Sequence, residues 1–234
     1  HLDIPDFKTY FDYLQDNFSH EKTYFINAIT TNKTEFFREY KHFEFLRDVF
    51  LPEFDKTGLR EMRIWSAGCS SGEEPYSIAM FLDDYYKNTA APRIKILATD
   101  IDTAVLDKAT KGIYGEDIVQ NVNTNMLKNF FYKGSGENKG LFKVKESMKR
   151  IITFRSLNLM NHPYPMKKQF HAIFCRNVII YFDKPTQKNL FEGLFDYLDD
   201  NGYLFIGHSE NITTLTDAYR LVGNTIYKKN LGEV

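Results

Sequence analysis

The pattern of apolar residues changes near residue 60 and divides the chain into two regions. In the first region apolar residues recur at helical spacing, which predicts helices through residues 1–50 and places Arg38 on a helix. Pro52 and Gly58 are predicted to end this helical segment. The apolar positions that carry this prediction are Phe7, Tyr10, Phe11, Leu14, Phe36, Tyr40, Phe43 and 46–50.

From residue 63 onward, short apolar runs alternate with longer amphipathic segments. The runs predict strands at 63–67, 94–98, 151–154, 172–175 and 203–206, with a final edge strand at 225–228. The longer segments predict helices at 73–86, 102–111 and 185–198, the second ended by Gly112 and the third capped by Asp183. This alternation predicts an α/β fold with a doubly wound parallel sheet. Ligands of such sheets bind beyond the carboxyl ends of the strands.

Composition excludes several classes of protein. The 234 residues are 43% hydrophobic, enough for a sizeable core, and 30 basic against 31 acidic residues give a net charge of −1. This balance disfavours a general nucleic-acid binder. No apolar run reaches the roughly 18 residues of a membrane span, and no signal peptide opens the chain. Two cysteines are too few for a disulfide framework and are expected to be reduced thiols in a cytoplasmic protein.

The loop after the first predicted strand is rich in small residues and is followed by two acids. It reads Ser66-Ala67-Gly68-Cys69-Ser70-Ser71-Gly72-Glu73-Glu74-Pro75. Small residues let a ligand approach the backbone. The spacing is not G-x-G-x-x-G, and two carboxylates would repel a phosphate but attract a sulfonium or ammonium group. This favours a cofactor without phosphates, such as S-adenosylmethionine. The alternative is an ordinary turn whose acids stabilise the helix that follows.

Polar residues also end two other predicted strands. Asp100 could accept hydrogen bonds from a ribose diol, although it or Asp102 could simply cap the next helix. Asn177 could hold the amino-acid end of a cofactor, and Tyr181 could line a methyl path or be a core aromatic residue. The histidines show no metal-ligand spacing, so no metal is expected.

Six segments, in order and with compatible spacing from about residue 30 to 228, together resemble the chemotaxis receptor methyltransferase family, CheR. They are 31–38 (TNKTEFFR), 65–77 (WSAGCSSGEEPYS), 99–102 (TDID), 158–159 (NL), 174–182 (FCRNVIIYF) and 207–211 (GHSEN). Any one segment is weak evidence, but the six together are highly specific.

The resemblance implies a Rossmann-like class I methyltransferase fold with a short N-terminal helical segment and a small antiparallel β insert. It also implies that S-adenosylmethionine is the methyl donor, S-adenosylhomocysteine the product and receptor glutamates the acceptors. Arg38 and Tyr181 would lie closest to the transferred methyl group. The implied cofactor-binding residues are Asn32, Thr34, Arg38, Ala67, Gly68, Glu73, Asp100, Asn158, Leu159, Arg176 and Asn177.

The implied organisation is an N-terminal helical segment at 1–52 and a methyltransferase domain at 60–234, with the insert at about 113–150. The partner would be the cytoplasmic helical region of a methyl-accepting chemotaxis receptor, with a receptor C-terminal peptide as a further candidate. The protein would act as a monomer and be recruited to receptor arrays at the inner membrane. Family members usually dock through a basic N-terminal face, whereas residues 1–48 here hold nine acids and six bases.

Basic residues concentrate instead within the insert. Residues 128–150 hold seven bases and two acids, a local net charge of +5. A turn at 134–140 and an alternating strand at 141–145 predict a hairpin with Phe142 and Val144 facing inward and Lys143 and Lys145 outward. This hairpin could be the receptor-facing surface, with an exposed strand edge, or only a solvated feature.

Three other functions fit parts of the sequence. A small-molecule methyltransferase of the same fold would not need the 32–38 motif or the insert. A sensory module that binds S-adenosylmethionine without catalysis would not need Arg38 and Tyr181. A nicotinamide oxidoreductase is disfavoured by the absence of G-x-G-x-x-G spacing.

Overall fold

The computed structural model describes residues 2–232, and its centre is a seven-stranded sheet. The strand order is β6-β2-β1-β7-β8-β10-β9. The first five strands in this order are parallel, and β10 is antiparallel to both of its neighbours. The strands are β1 (Glu61–Ala67), β2 (Arg93–Asp100), β6 (Ile152–Ser156), β7 (Phe170–Cys175), β8 (Leu198–Ile206), β9 (Tyr219–Gly223) and β10 (Ile226–Lys229).

The five predicted parallel strands are therefore confirmed, whereas the prediction for the C-terminal strand is wrong in one respect. β10 is paired on both sides, and the edge position belongs to β9, which the apolar pattern did not reveal. In β9 only Tyr219 is buried, and Leu221 is 55% exposed. An edge strand with so little buried surface carries almost no alternating signal.

Helices connect these strands, as the alternation predicted. Gly112 ends α6 in the left-handed conformation with φ 59°, and Asp183 caps α9 by accepting a hydrogen bond from the Thr186 N–H. The helices of this region are α5 (Glu73–Tyr86), α6 (Thr103–Lys111), α7 (Thr124–Phe130), α8 (Glu146–Lys149) and α9 (Lys184–Tyr197). None of the described helices is long and apolar enough to cross a membrane.

The N-terminal region is helical only in part, which corrects the prediction for residues 1–50. Helices α1 (Phe7–Asp16) and α2 (Phe18–Ile29) are followed by an irregular segment, 30–40, that contains Arg38. In this segment Phe36 is buried edge-on against two aromatic rings of the β insert, so its apolar spacing reflects tertiary packing rather than a helix face.

Residues 41–56 form one continuous helical stretch made of α3 (Lys41–Phe45), a π-helical turn (Leu46–Phe50) and α4 (Leu51–Lys56). Pro52 lies in the first turn of α4, directly after the π-helical turn, and does not end the stretch. Phe43, Leu46 and Leu51 are fully buried in the same core as the central sheet. A division of the chain at residue 52 would therefore cut through this helical stretch.

The insert contains a second, three-stranded antiparallel sheet of order β3-β5-β4, formed by β3 (Ile113–Gly115), β5 (Leu141–Val144) and β4 (Phe131–Lys133). Phe142 and Val144 are buried while Lys143 is exposed, as the alternation predicted. Because β5 is paired on both sides, its edges are not free. Any free edge of the basic hairpin belongs to β4 instead.

His171 is buried near the amino end of β7, and its protonation should make the stability of the fold depend on pH. The Nδ1 atom of His171 accepts a hydrogen bond of 2.9 Å from the Arg63 N–H. Burial, together with the charge of Arg63, lowers the pKa of His171. The unfolded chain therefore binds a proton at this histidine more readily than the folded chain, so the unfolding free energy should fall as pH drops below about 6.5.

Urea unfolding at pH 7.5 and 5.5 measures this effect. The decrease in unfolding free energy between the two pH values should be smaller for His171→Asn than for wild type. The exposed histidine His20 provides the control. If His171→Asn loses as much unfolding free energy between the two pH values as His20→Asn does, His171 is not the source of the pH dependence.

Candidate active site

A cavity of about 460 Å³ opens at the carboxyl ends of β1, β2 and β7. This is the place that the parallel sheet predicted for a ligand. The cavity brings together ten of the twelve predicted site residues: Asn32, Thr34, Arg38, Gly68, Asp100, Asn158, Leu159, Arg176, Asn177 and Tyr181. Ala67 and Glu73 are not among its lining residues.

The two acids at the start of α5 point to different places. Glu73 is buried, accepts hydrogen bonds from Ser71 Oγ and does not line the cavity. Glu74 does line it and accepts a hydrogen bond of 2.7 Å from Ser66 Oγ. Burial raises the pKa of Glu74, and the charge of Arg176 offsets this only in part. Adjacent helical residues point about 100° apart, so the sequence could not decide which of the two faces the cavity.

Asp100 and Asp102 have separate roles. The Asp100 carboxylate faces the cavity and accepts hydrogen bonds from the Ser70 N–H, at 2.7 Å, and the Asp102 N–H, at 3.0 Å. Asp102 caps α6 and accepts hydrogen bonds from Thr30 and Asn32, which anchors the start of segment 30–40. Asp102 is therefore the residue that caps the helix. Asp100 instead holds the small-residue loop through the Ser70 N–H, and its carboxylate oxygens keep lone pairs that can accept hydrogen bonds from a ligand.

Arg176 is the centre of the cavity wall. Its side chain is 3% exposed, with Nε at 3.3 Å from Glu39 Oε2 and Nη1 at 3.3 Å from Glu74 Oε2. Its Nη2 donates a hydrogen bond to the Arg38 carbonyl oxygen. One guanidinium thus joins the end of β7 to segment 30–40 and to α5. These three contacts hold Arg176 in place as part of the wall.

Two carboxylates that complete this wall were missed in the sequence. Glu39 Oε1 accepts hydrogen bonds from the His208 N–H and from Asn177 Nδ2. Burial alone would raise the pKa of Glu39, but the charge of Arg176 and the His208 N–H hold it below its usual value. Glu210 accepts hydrogen bonds from the backbone N–H groups of Asn177, Ile179 and Gly207. Glu210 lies in the segment 207–211 and Glu39 directly follows the segment 31–38, but only the fold shows what they bind.

The backbone around the cavity is strained. Phe37, Glu39, Ser70 and Asn177 all have φ between 48° and 58°, in the left-handed region that is costly for residues with a Cβ atom. Three of them line the cavity, and Glu39 supports it through Arg176. Such conformations persist where surrounding contacts hold them, and they concentrate at functional sites.

Arg38 and Tyr181 lie where the cavity meets solvent. Tyr181 is 58% exposed, in the 3₁₀ turn Ile179–Tyr181 that follows β7. Arg38 is partly buried, and its Nη1 donates a hydrogen bond of 2.9 Å to the Lys33 carbonyl oxygen. A guanidinium has five N–H donors, so Arg38 keeps the capacity to bind an anionic group.

Comparison with known proteins agrees with this geometry. Residues 32–228 match the family model described as CheR methyltransferase, SAM binding domain. The chain is 44% identical to the chemotaxis protein methyltransferase of Borreliella burgdorferi, over 98% of this chain and 83% of the relative. It is 43% identical to that of Escherichia coli (97% and 77%) and 42% identical to chemotaxis protein methyltransferase 2 of Pseudomonas aeruginosa (97% and 79%). The chain belongs to the CheR methyltransferase family, and S-adenosylmethionine is its methyl donor.

Proposed function

We propose that this protein transfers a methyl group from S-adenosylmethionine to glutamate side chains in the cytoplasmic helical region of a chemotaxis receptor. The products would be glutamate methyl esters and S-adenosylhomocysteine. The observation that carries the proposal is a cavity that the carboxylates of Glu74 and Asp100 line and that has Arg38, an arginine with spare donors, at its mouth. The names of the relatives, chemotaxis protein methyltransferases, support the choice of acceptor.

The residues of the cavity fit the proposed cofactor. Its volume of about 460 Å³ lies within the usual range for small-molecule sites. At Gly68, with φ 81°, an added Cβ would lie 2.5 Å from a Val178 methyl group, so only glycine keeps the loop and this wall in place. Asp100 would accept hydrogen bonds from the ribose, Glu74 would face the cationic part, and Asn158 and Leu159 would flank the adenine.

The main task of the protein in this reaction is to position the acceptor carboxylate against the methyl group. Bound S-adenosylmethionine supplies an electrophilic methyl group. A glutamate carboxylate is already ionised at neutral pH, so the protein need not supply a general base. Arg38 would orient this carboxylate at the mouth, and the Tyr181 ring would line its approach. Arg176, being neutralised by Glu39 and Glu74, would not hold the acceptor back in its ground state.

Asp100 gives a direct test of the cofactor assignment. Asp100→Ala should weaken S-adenosylhomocysteine binding by roughly 1–3 kcal/mol, because hydrogen-bonded partners lose their acceptor. Isothermal titration of the purified variant measures this. Since Asp100 also fastens Ser70 and Asp102, the unfolding free energy must be measured alongside. Unchanged affinity in a folded variant would remove Asp100 from the site.

The basic hairpin tests the docking of the receptor. Reversing Lys143 and Lys145 to Glu should raise the apparent KM for receptor at low salt and leave S-adenosylmethionine affinity unchanged. Lys143 should carry most of the effect, because Lys145 Nζ already donates a hydrogen bond to the Lys128 carbonyl oxygen.

A matched control for this charge reversal is Lys168→Glu with Lys188→Glu, two exposed lysines away from the insert. Equal methylation by both double variants would show that the hairpin is only a solvated feature. If an extended receptor C-terminal peptide binds here, it would pair with the outer edge of β4, since both edges of β5 are occupied.

A further inference from the structure

Behind the cavity wall lies a cluster of two histidines and one carboxylate: Glu39, His42 and His208. The candidate ligand atoms of the three side chains all lie within 4.8 Å of one another. Glu39 and His42 flank the start of α3, while His208 follows β8, so only the fold brings them together. We propose that these residues form a binding site for a divalent transition-metal ion of the Zn²⁺ class. This goes beyond the methyltransferase function and does not depend on it.

The hydrogen bonding of the His42 ring suits a metal ligand. The side chain is fully buried, and Nε2 lies 3.1 Å from the Asn224 carbonyl oxygen, which can only accept. The proton is therefore on Nε2, and Nδ1 carries a free lone pair. Within residues 2–232, Nδ1 is a buried side-chain atom that has no hydrogen-bond partner. One ring nitrogen donating to a carbonyl while the other is free is the usual arrangement of a metal-binding histidine.

The distances suit a small ion. His42 Nδ1 lies 3.7 Å from Glu39 Oε2, and His208 Nε2 lies 3.9 Å from the same oxygen. Zinc binds nitrogen and oxygen at about 2.0–2.2 Å, which sets tetrahedral ligands roughly 3.4 Å apart. Two of the three ligand–ligand distances are thus within about 0.5 Å of this value, and the third, between the two histidines, is at most 4.8 Å. The His208 side chain is 45% exposed, which gives the ion an entry route and leaves room for water as a fourth ligand.

The charge around the cluster also favours a cation. Two carboxylates, those of Glu39 and Glu74, pair with the single guanidinium of Arg176, so these three side chains together carry a net charge of −1 when both acids are ionised. Two imidazoles with one carboxylate select zinc-like ions over Mg²⁺ or Ca²⁺, which prefer oxygen.

An ion at this position would act on the cavity wall. It would link the start of α3 to the loop after β8, which Glu210 ties to Asn177. It would also draw on Glu39 Oε2, the oxygen that faces Arg176 Nε. Binding of the ion should therefore stiffen the wall and change the affinity for S-adenosylhomocysteine.

The test is Zn²⁺ binding to the full chain without a histidine tag, measured by competition with a chromophoric chelator. Wild type should bind one ion, and His208→Ala and Glu39→Gln should each lower the affinity roughly tenfold or more. His20→Ala, which removes an exposed histidine on α2, should bind as wild type does. His208 is half-exposed, so its removal should leave the fold intact, as circular dichroism would verify. Co²⁺ gives a second readout, a visible absorption band in wild type that His208→Ala lacks.

Two results would overturn the proposal. One is Zn²⁺ binding to wild type that is no tighter than binding to His208→Ala. The other is an equal loss of affinity in the His20→Ala control. Either result would leave S-adenosylhomocysteine binding and methyl transfer untouched, so the methyltransferase function is tested separately.

Discussion

Replacing Arg38 by alanine is expected to reduce methyl transfer at least about 100-fold while the protein remains folded. Arg38 lies at the mouth of the cavity, and its described contacts include one hydrogen bond to the Lys33 carbonyl oxygen. Its other donors are suited to orient the acceptor carboxylate, and misplacing a reactant by about 1 Å can cost 100-fold in rate. The measurement is the rate of methyl incorporation into receptor fragments at saturating S-adenosylmethionine.

Two further variants make this result specific. Arg60→Ala removes an exposed arginine elsewhere and should retain full activity. Tyr181→Phe keeps the exposed ring and, because no proton transfer is needed, should lose much less activity than Arg38→Ala. Near-normal turnover of Arg38→Ala would remove this residue from the mechanism. If Tyr181→Phe loses as much activity as Arg38→Ala, the hydroxyl group of Tyr181 takes part in the reaction.

Replacing Arg176 by alanine is expected to lower the unfolding free energy by about 3–5 kcal/mol and to abolish cofactor binding. The change leaves the Glu39 and Glu74 carboxylates buried without their cation, and breaking a buried ion pair from one side is strongly destabilising. Urea unfolding measures the first effect and isothermal titration with S-adenosylhomocysteine the second.

A double variant distinguishes the ion pair from simple loss of packing. Combining Arg176→Ala with Glu39→Gln should restore part of the lost stability, because one of the stranded charges is gone. Arg63→Ala is the control, since this arginine is also paired with a glutamate but lies at the far end of β1. If the double variant is as unstable as the sum of the single variants, the pairing contributes little.

The sequence predicted the parallel sheet well because each buried strand is a short apolar run with a clear end. Ile173, for example, lies in a strand whose six residues are all buried, so its pattern leaves little ambiguity. The edge strand β9 and the irregular segment 30–40 were not predictable in this way. β9 buries too little surface, and segment 30–40 owes its shape to contacts with Asp102, Arg176 and the insert.

The same distinction holds for the site. Residues at strand ends, such as Asp100 and Asn177, follow from the topology of a parallel sheet. Which of Glu73 and Glu74 faces the cavity depends on the rotation of α5 about its axis. The two carboxylates that pair with Arg176, those of Glu39 and Glu74, lie more than 100 residues away from it in the sequence. His42 and His208 come together in the same way, through the fold, and therefore show no metal-ligand spacing in the sequence.

The strained backbone of the cavity has a kinetic consequence. Segment 30–40 forms one wall, contains two left-handed non-glycine residues and is fastened mainly through side chains rather than a hydrogen-bonded ladder. Releasing it would relieve strain, so this wall should open more often than the sheet beneath it. Its amide hydrogens should exchange with solvent faster than those of β1, and a bound cofactor should slow that exchange most in this segment. The gate through which the cofactor enters and leaves would then be the wall itself.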